Sequence, residues 1–229
     1  MKVLQTRIVW LPCWRIIPSR FPPVQLFEDV AGPNDLEAIF EIEAMTNDRL
    51  RDQAGQLQLI APSDRISGPG TSYIMAAFMH LNPNGSRFSD GSWGVYYAGN
   101  DLETAIAETR YHRTLFLKAT NEAAMELDMR VLMADARGDL HDIRGQQKTR
   151  VDIYDPDDYS ASQKFARSLR NENSSGIVYN SVRQRDGQCI AIFRPPLLSN
   201  CRHERHLCYV WNGNQISNIY EKRLYGIQF

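Results

Sequence analysis

The chain has 229 residues, a formal net charge of −1 at pH 7 and 43% hydrophobic residues, which are ordinary values for a folded globular protein. A nearly neutral chain has no overall attraction for nucleic acid or for an anionic membrane, so neither is expected as a partner. The apolar run at residues 8–13 is broken by Pro12 and is too short for a signal peptide or a membrane span, which predicts a cytoplasmic protein.

The first half of the chain alternates strand patterns with helix patterns. Asn34 with Glu37, and Asn100 with Glu103, have the spacing of a capping box, which marks the start of a helix. The elements predicted here are strands at 7–11 and 14–17, helices over 35–51 and 71–81, a strand at 95–98 and a helix over 101–112.

The second half is richer in strands. Apolar residues alternate with charged ones over 125–133, and the pairs Asp186-Gly187 and Asn212-Gly213 favour tight reversals. The elements predicted here are a strand at 125–133, a polar loop over 139–158, a helix over 160–169, and the hairpins 176–182 with 189–193 and 207–211 with 216–225. This order predicts an α+β fold: one domain over 1–229, with antiparallel and mixed sheets and flanking helices.

Three side chains of one loop–strand–helix unit carry the most chemical information. Arg87 lies in a glycine-rich loop, Tyr96 in the strand that follows, and Glu108 at the border of the apolar face of the next helix. Such a trio suits an anionic substrate with a planar ring and a bond whose cleavage develops positive charge. An equally good interpretation of Glu108 at this stage is a surface ion pair with a neighbouring arginine or histidine.

Metal and nucleotide signatures are weak. No GxGxxG or GxxxxGK[ST] motif occurs, and the most metal-like residues are Cys201, His203, His206 and Cys208. In an extended segment the first two would face one side and the last two the other, so no metal site is expected. Cys13 and Cys189 lie in apolar strand patterns and are interpreted as core residues, and the lack of a CxxC pair predicts free thiols.

Several segments together resemble the RES-domain family, toxins of bacterial toxin–antitoxin pairs named for a characteristic Arg, Glu and Ser. The segments that carry the resemblance are 14–16, 86–88, 95–98, 102–108 and 176–181. The resemblance implies a fold like the catalytic core of ADP-ribosyltransferase toxins and attack on the nicotinamide–ribose bond of NAD, used as a substrate, with no metal. The chain departs from the family pattern in a long helical insertion at about 24–82 and in Ser86-Arg87-Phe88-Ser89-Asp90, where many relatives carry Gly-Gly-Arg-Trp-Asn.

The resemblance also assigns residues. It implies catalytic roles for Glu108, Arg87 and Ser181, with Ser160 as the alternative serine, and NAD-binding roles for Arg87, Tyr96 and one arginine near the start. Arg15 and Arg20 compete for that last position. In this scheme the arginines hold the pyrophosphate, the Tyr96 ring faces nicotinamide, and Glu108 stabilises the oxocarbenium character that develops at the ribose.

Partners and alternatives follow from the same resemblance. It implies a cognate antitoxin, a small Xre-like helix-turn-helix protein, and an acceptor of ADP-ribose that is water, inorganic phosphate or a specific protein. A protein-specific ADP-ribosyltransferase is therefore the first alternative. A nucleic-acid-targeting toxin would use a basic patch and is disfavoured by the neutral total charge; a noncatalytic interaction domain is a third alternative. The patch would comprise Arg183, Arg185, Arg202 and Arg205.

Overall fold

A computed structural model describes residues 3–19, 57–223 and 225 of the chain. Its helices are α1 Thr71–Met79, α2 Leu102–Ala119 and α3 Ser160–Asn171. Its strands are β1 Gln5–Pro18, β2 Tyr96–Gly99, β3 Met125–Asp142, β4 Gly176–Asn180, β5 Gln188–Ile192, β6 Leu198–Trp211 and β7 Ile216–Lys222. The predicted α+β class is confirmed. None of the helices in the described ranges is long and apolar enough to cross a membrane.

Several elements are longer than the sequence pattern predicted. The two short N-terminal strands form one strand, β1, whose register against β3 shifts between Trp10 and Cys13. β3 continues into the predicted polar loop because its alternation persists, with Leu140 buried and Asp139 exposed. α2 extends beyond residue 112, and β6 begins well before residue 207. The helix predicted over 35–51 lies outside the described residues.

The start of α2 differs in detail from the predicted capping box. The N-cap is Asp101, not Asn100, and its Oδ1 accepts a 2.7 Å hydrogen bond from the backbone N–H of Thr104. Asn100 instead accepts a 2.8 Å hydrogen bond from the backbone N–H of Gln188, at the start of β5. These two contacts fix the first turn of α2 against the end of β2 and the beginning of β5.

The seven strands form one mixed sheet in the order β1-β2-β5-β4-β3-β6-β7. β1 also pairs with β3 along nearly its whole length, so the sheet curls until β1, β2, β5, β4 and β3 form a ring. The β3–β4 pairing is parallel, and the other pairings are antiparallel. Both hairpins predicted from the Asp-Gly and Asn-Gly turns are confirmed as β4–β5 and β6–β7.

The sheet has two covered sides, because successive side chains of a strand point to opposite faces. On the side covered by α1, called here the α1 side, the core includes Cys13, Tyr96, Ala98, Ile190 and Met75. The opposite side, called the α2 side, is covered by α2 and α3. Its core includes Trp14, Ala105, Tyr179, Cys189 and Ala166. Tyr96 and Tyr97 are neighbours in β2 and therefore face different sides.

The histidines of β6 differ from the expectation for a regular strand. The pairing with β3 skips Glu204, and this bulge brings the rings of His203 and His206 to 4.3 Å between centroids, so they do not face opposite sides. In the described ranges, no three or more His, Cys, Asp or Glu side chains are grouped to hold a metal ion. All four cysteines are buried, and none of them forms a disulfide within the described residues. Burial was predicted for Cys13 and Cys189 only.

Candidate active site

Glu108 is held by two donors from the β4–β5 hairpin. The Ser181 hydroxyl, just after β4, donates a 2.6 Å hydrogen bond to Oε1 of Glu108, and the thiol of Cys189 on β5 lies 3.8 Å from the same oxygen. Burial, and next the charge of Glu108, hold the pKa of the Cys189 thiol well above its usual range, so the thiol keeps its proton. Both contacts fall on one carboxylate oxygen, which fixes the orientation of the group.

Ser181 is itself fixed by the turn that it begins. Its oxygen accepts hydrogen bonds from the backbone N–H groups of Arg183 at 3.0 Å and Gln184 at 2.9 Å. Those donors occupy the oxygen while the hydroxyl proton is directed at Glu108. Ser181 therefore acts here as a positioning residue for the carboxylate, and its oxygen is poorly placed to attack a substrate.

Arg87 is a buried cation bound to backbone carbonyls. Only 6% of the residue is exposed, and its Nη1 donates to the carbonyl oxygens of Ile153 at 3.1 Å and Asp155 at 2.8 Å. Its guanidinium carbon lies 4.6 Å from the centre of the Tyr159 ring. Its Nη2 is buried without a hydrogen-bond partner among the described residues. A buried guanidinium N–H of this kind is a ready donor for an anion.

Arg87 and Glu108 lie on the same side of the sheet. Phe88 packs edge-on against Tyr179 of β4, with 5.0 Å between ring centres, and Tyr179 is paired in register with Cys189. The pKa of Tyr179 is raised well above its usual value, first by burial, with Glu108 among the further causes, and the charge of Arg87 opposes the rise. Both charged groups thus act on one tyrosine of the α2 side.

A cleft of about 360 Å³ opens beside this group. Its wall includes Ser181, from the turn after β4, and Tyr154 and Asp155, from the segment that Arg87 binds. The residues lining it are Gln147, Val151, Tyr154, Asp155, Pro156, Ser181 and Val182. A cleft of this size admits part of a nucleotide-sized ligand next to Ser181, the residue that binds Glu108.

The structure places Arg15 and Tyr96 apart from this group. Tyr96 is fully buried on the α1 side, and the Arg15 guanidinium lies over its ring at 4.6 Å. Arg15 Nη1 donates a 2.9 Å hydrogen bond to the backbone oxygen of Tyr97. The Tyr96 ring, expected to face a ligand, has no exposed surface here. Arg20 lies outside the described residues.

The tyrosine of β2 on the α2 side is Tyr97. Its hydroxyl lies 2.8 Å from the hydroxyl of Ser86 and accepts a 2.9 Å hydrogen bond from the backbone N–H of Phe88. It therefore anchors both residues that flank Arg87. Because successive side chains of a strand alternate, the sequence indicates that Tyr96 and Tyr97 point to opposite faces of the sheet. It does not show which face holds the site.

Comparison with known proteins assigns the family. The family model of the RES domain matches residues 63–212, which is more than half of the chain. The chain belongs to the RES domain family. The resemblance noted in the sequence is thereby confirmed, and Arg87, Glu108 and Ser181 lie inside the matched range, whereas Arg15 precedes it.

Two further similarities accompany the RES match. An uncharacterized protein of Sinorhizobium fredii (strain NBRC 101917 / NGR234), y4oC, is 35% identical over 208 residues, covering 90% of this chain and 86% of that protein. The solved M. tuberculosis MbcT–MbcA toxin–antitoxin complex contains a chain that matches with a TM-score of 0.43 and 10% identity, over 88% of this chain and 86% of that one.

Two residues of the candidate site are not assigned to it by the sequence analysis. Cys189 was interpreted as core, and it is buried, but its thiol also contacts Glu108. Arg183 was considered only as part of a basic surface patch, yet its guanidinium lies 3.3 Å from the centre of the Tyr111 ring, on the helix that carries Glu108. Both contacts depend on pairing between distant segments, which no local pattern reveals.

Proposed function

We propose that this RES domain is an NAD-consuming toxin that cleaves the nicotinamide–ribose bond and passes ADP-ribose to an acceptor. The observation that carries the proposal is the Glu108 carboxylate, oriented by Ser181 on the same side of the sheet as the buried cation Arg87. Membership of the RES family supports the assignment, because the family resemblance implies this chemistry.

The proposed cleavage depends on the charges of Glu108 and Arg87. Leaving of nicotinamide develops positive charge at the ribose carbon, and a fixed carboxylate lowers the energy of that transition state. The same carboxylate is suited to orienting the acceptor that attacks the ribose from the other face. Arg87 supplies a donor for the diphosphate of the substrate through the N–H that has no protein partner in the described ranges.

The test is release of nicotinamide from NAD by the purified protein, measured in buffer, with added inorganic phosphate, and with cell lysate. We expect release in at least one condition. Sustained release in buffer identifies water as the acceptor, dependence on phosphate identifies phosphorolysis, and label on one lysate protein identifies the alternative, a protein-specific transferase. No release under any of these conditions contradicts the proposed function.

Ser181→Ala is expected to lower kcat for nicotinamide release by about 10-fold, because a hydrogen bond that orients a charged catalytic group is lost. The matched control is Ser160→Ala, which removes the alternative serine. Ser160 is exposed, at the start of α3. Steady-state kinetics with NAD, together with thermal unfolding of each variant, measure the effect. If Ser160→Ala is the impaired variant and folded Ser181→Ala is not, the assignment of Ser181 is wrong.

We also propose, from the family resemblance, that a small helix-turn-helix antitoxin blocks this activity. The test is neutralisation: growth arrest by the expressed RES domain should be relieved when its cognate antitoxin is co-expressed. If the Glu108→Gln variant still arrests growth, that result favours the nucleic-acid-targeting alternative over NAD consumption.

A further inference from the structure

Arg183 lies against the helix that carries Glu108. It belongs to the turn that Ser181 begins, and its side chain is only 14% exposed. Its guanidinium carbon is 3.3 Å from the centre of the Tyr111 ring, and Tyr111 follows Glu108 on α2 by about one helical turn. Arg183 is therefore within the candidate site and is not part of a solvent-facing basic patch.

The contacts of Arg183 within the described residues leave one of its N–H donors unused. Its Nη2 donates to the backbone oxygen of Pro156. The carboxylate it pairs with, Asp157 at 3.9 Å, is 78% exposed and accepts a hydrogen bond from the Tyr111 hydroxyl. Its Nε is buried with no hydrogen-bond partner in the described part of the chain. An unsatisfied N–H of a buried cation is costly unless a ligand accepts it.

Arg87 has the same arrangement from a different segment. It too donates to backbone oxygens of the loop after β3, at Ile153 and Asp155, and it too keeps one buried N–H, on Nη2, without a partner in the described ranges. The two guanidinium groups thus hold neighbouring carbonyls of one loop, and each retains an unused donor.

The positive charges of Arg183 and Arg87 both affect the ionisation of His112. Its pKa is lowered to about 4, first by desolvation and then by the positive charges of Arg183, Arg87 and Arg113. The region next to Glu108 is accordingly electropositive, and this favours an anionic ligand.

We propose that Arg183 and Arg87 together bind the diphosphate of a nucleoside diphosphate ligand, with Arg183 providing the second arginine of the site. The inference rests on the proposed function, since the ligand is NAD or its ADP-ribose product. Guanidinium groups match phosphate oxygens in geometry and charge, and two of them suit two linked phosphates. Arg15 is not available in this arrangement, because its guanidinium covers Tyr96 on the α1 side.

The test compares Arg183→Gln with Arg185→Gln, a matched control in the same turn whose side chain is 95% exposed. Calorimetry with ADP-ribose should show affinity lowered by roughly 10- to 100-fold in Arg183→Gln and changed less than about twofold in Arg185→Gln. With NAD, KM should rise by a similar factor while kcat changes little, because the diphosphate is held alike before and during the reaction.

Several outcomes overturn the inference. If Arg183→Gln lowers the melting temperature but binds ADP-ribose like the wild type, Arg183 only clamps the loop at Pro156. Equal losses in both variants would indicate general electrostatic attraction without a specific site. The proposed function fails separately, if the wild-type protein releases no nicotinamide from NAD in any of the conditions above, whatever its affinity for ADP-ribose.

Discussion

Glu108→Gln is expected to lower nicotinamide release from NAD by at least about 10²-fold while leaving the protein folded. The substitution keeps the shape of the side chain and an oxygen to accept the Ser181 hydroxyl, but it removes the negative charge that stabilises the developing cation at the ribose. Since the interaction is made chiefly in the transition state, kcat should fall and the affinity for ADP-ribose should change little.

The matched control for this experiment is Glu103→Gln. Glu103 lies in the first turn of the same helix and is exposed, so the same chemical change there should leave activity unaltered. Kinetics and circular dichroism on both variants separate loss of chemistry from loss of fold. Near wild-type turnover by a folded Glu108→Gln protein would refute the assignment of the carboxylate.

Gly94→Ala is expected to lower the free energy of unfolding by ~1–3 kcal/mol, because it forces two backbones apart. A Cβ atom at Gly94 would lie 2.3 Å from Cα of Phe78 and 2.6 Å from the carbonyl oxygen of Ala77. Both atoms belong to the backbone of α1, which cannot turn aside as a side chain can. Gly94 precedes β2, so displacement there would also disturb the strand that carries Tyr97.

The control is Gly138→Ala on β3. A Cβ atom there would lie 2.5 Å from Cδ2 and 2.8 Å from Cγ of Leu197, but both atoms belong to a flexible side chain and not to backbone. Rotation of that side chain should limit the cost to about 1 kcal/mol or less. Urea unfolding of the two variants measures the difference in midpoint. Equal midpoints would mean that α1 and the segment before β2 separate without penalty.

Much of the fold was predictable from local pattern. The α2 helix follows from its apolar spacing and the carboxylate at its start, and the two hairpins follow from the turn residues Asp-Gly and Asn-Gly. The left-handed residue is Asp186 in the first turn and Gly213 in the second. The lengths of β3 and β6 were underestimated because their outer halves expose polar residues, and pairing between distant strands, not composition, keeps those halves extended.

The candidate site was only partly predictable. The helical period places Glu108 at the edge of a buried face, but its partners Ser181 and Cys189 come from the β4–β5 hairpin, and only the family resemblance pointed to the serine. The same limit applies to Tyr96 and Tyr97. Alternation shows that adjacent strand residues point apart, and the three-dimensional pairing alone decides which of them faces the site.

The turn from Ser181 to Gly187 has a consequence for inhibition. The turn is closed by a 2.8 Å hydrogen bond from the Ser181 N–H to the Gly187 oxygen. It also packs so tightly on α2 that a Cβ atom at Gly187 would lie 2.6 Å from the Thr104 hydroxyl. Because one short turn carries both the group that orients Glu108 and the Arg183 guanidinium, a compound that binds between the turn and α2 would act as a mixed inhibitor. It would impair the chemical step and substrate affinity together without entering the cleft.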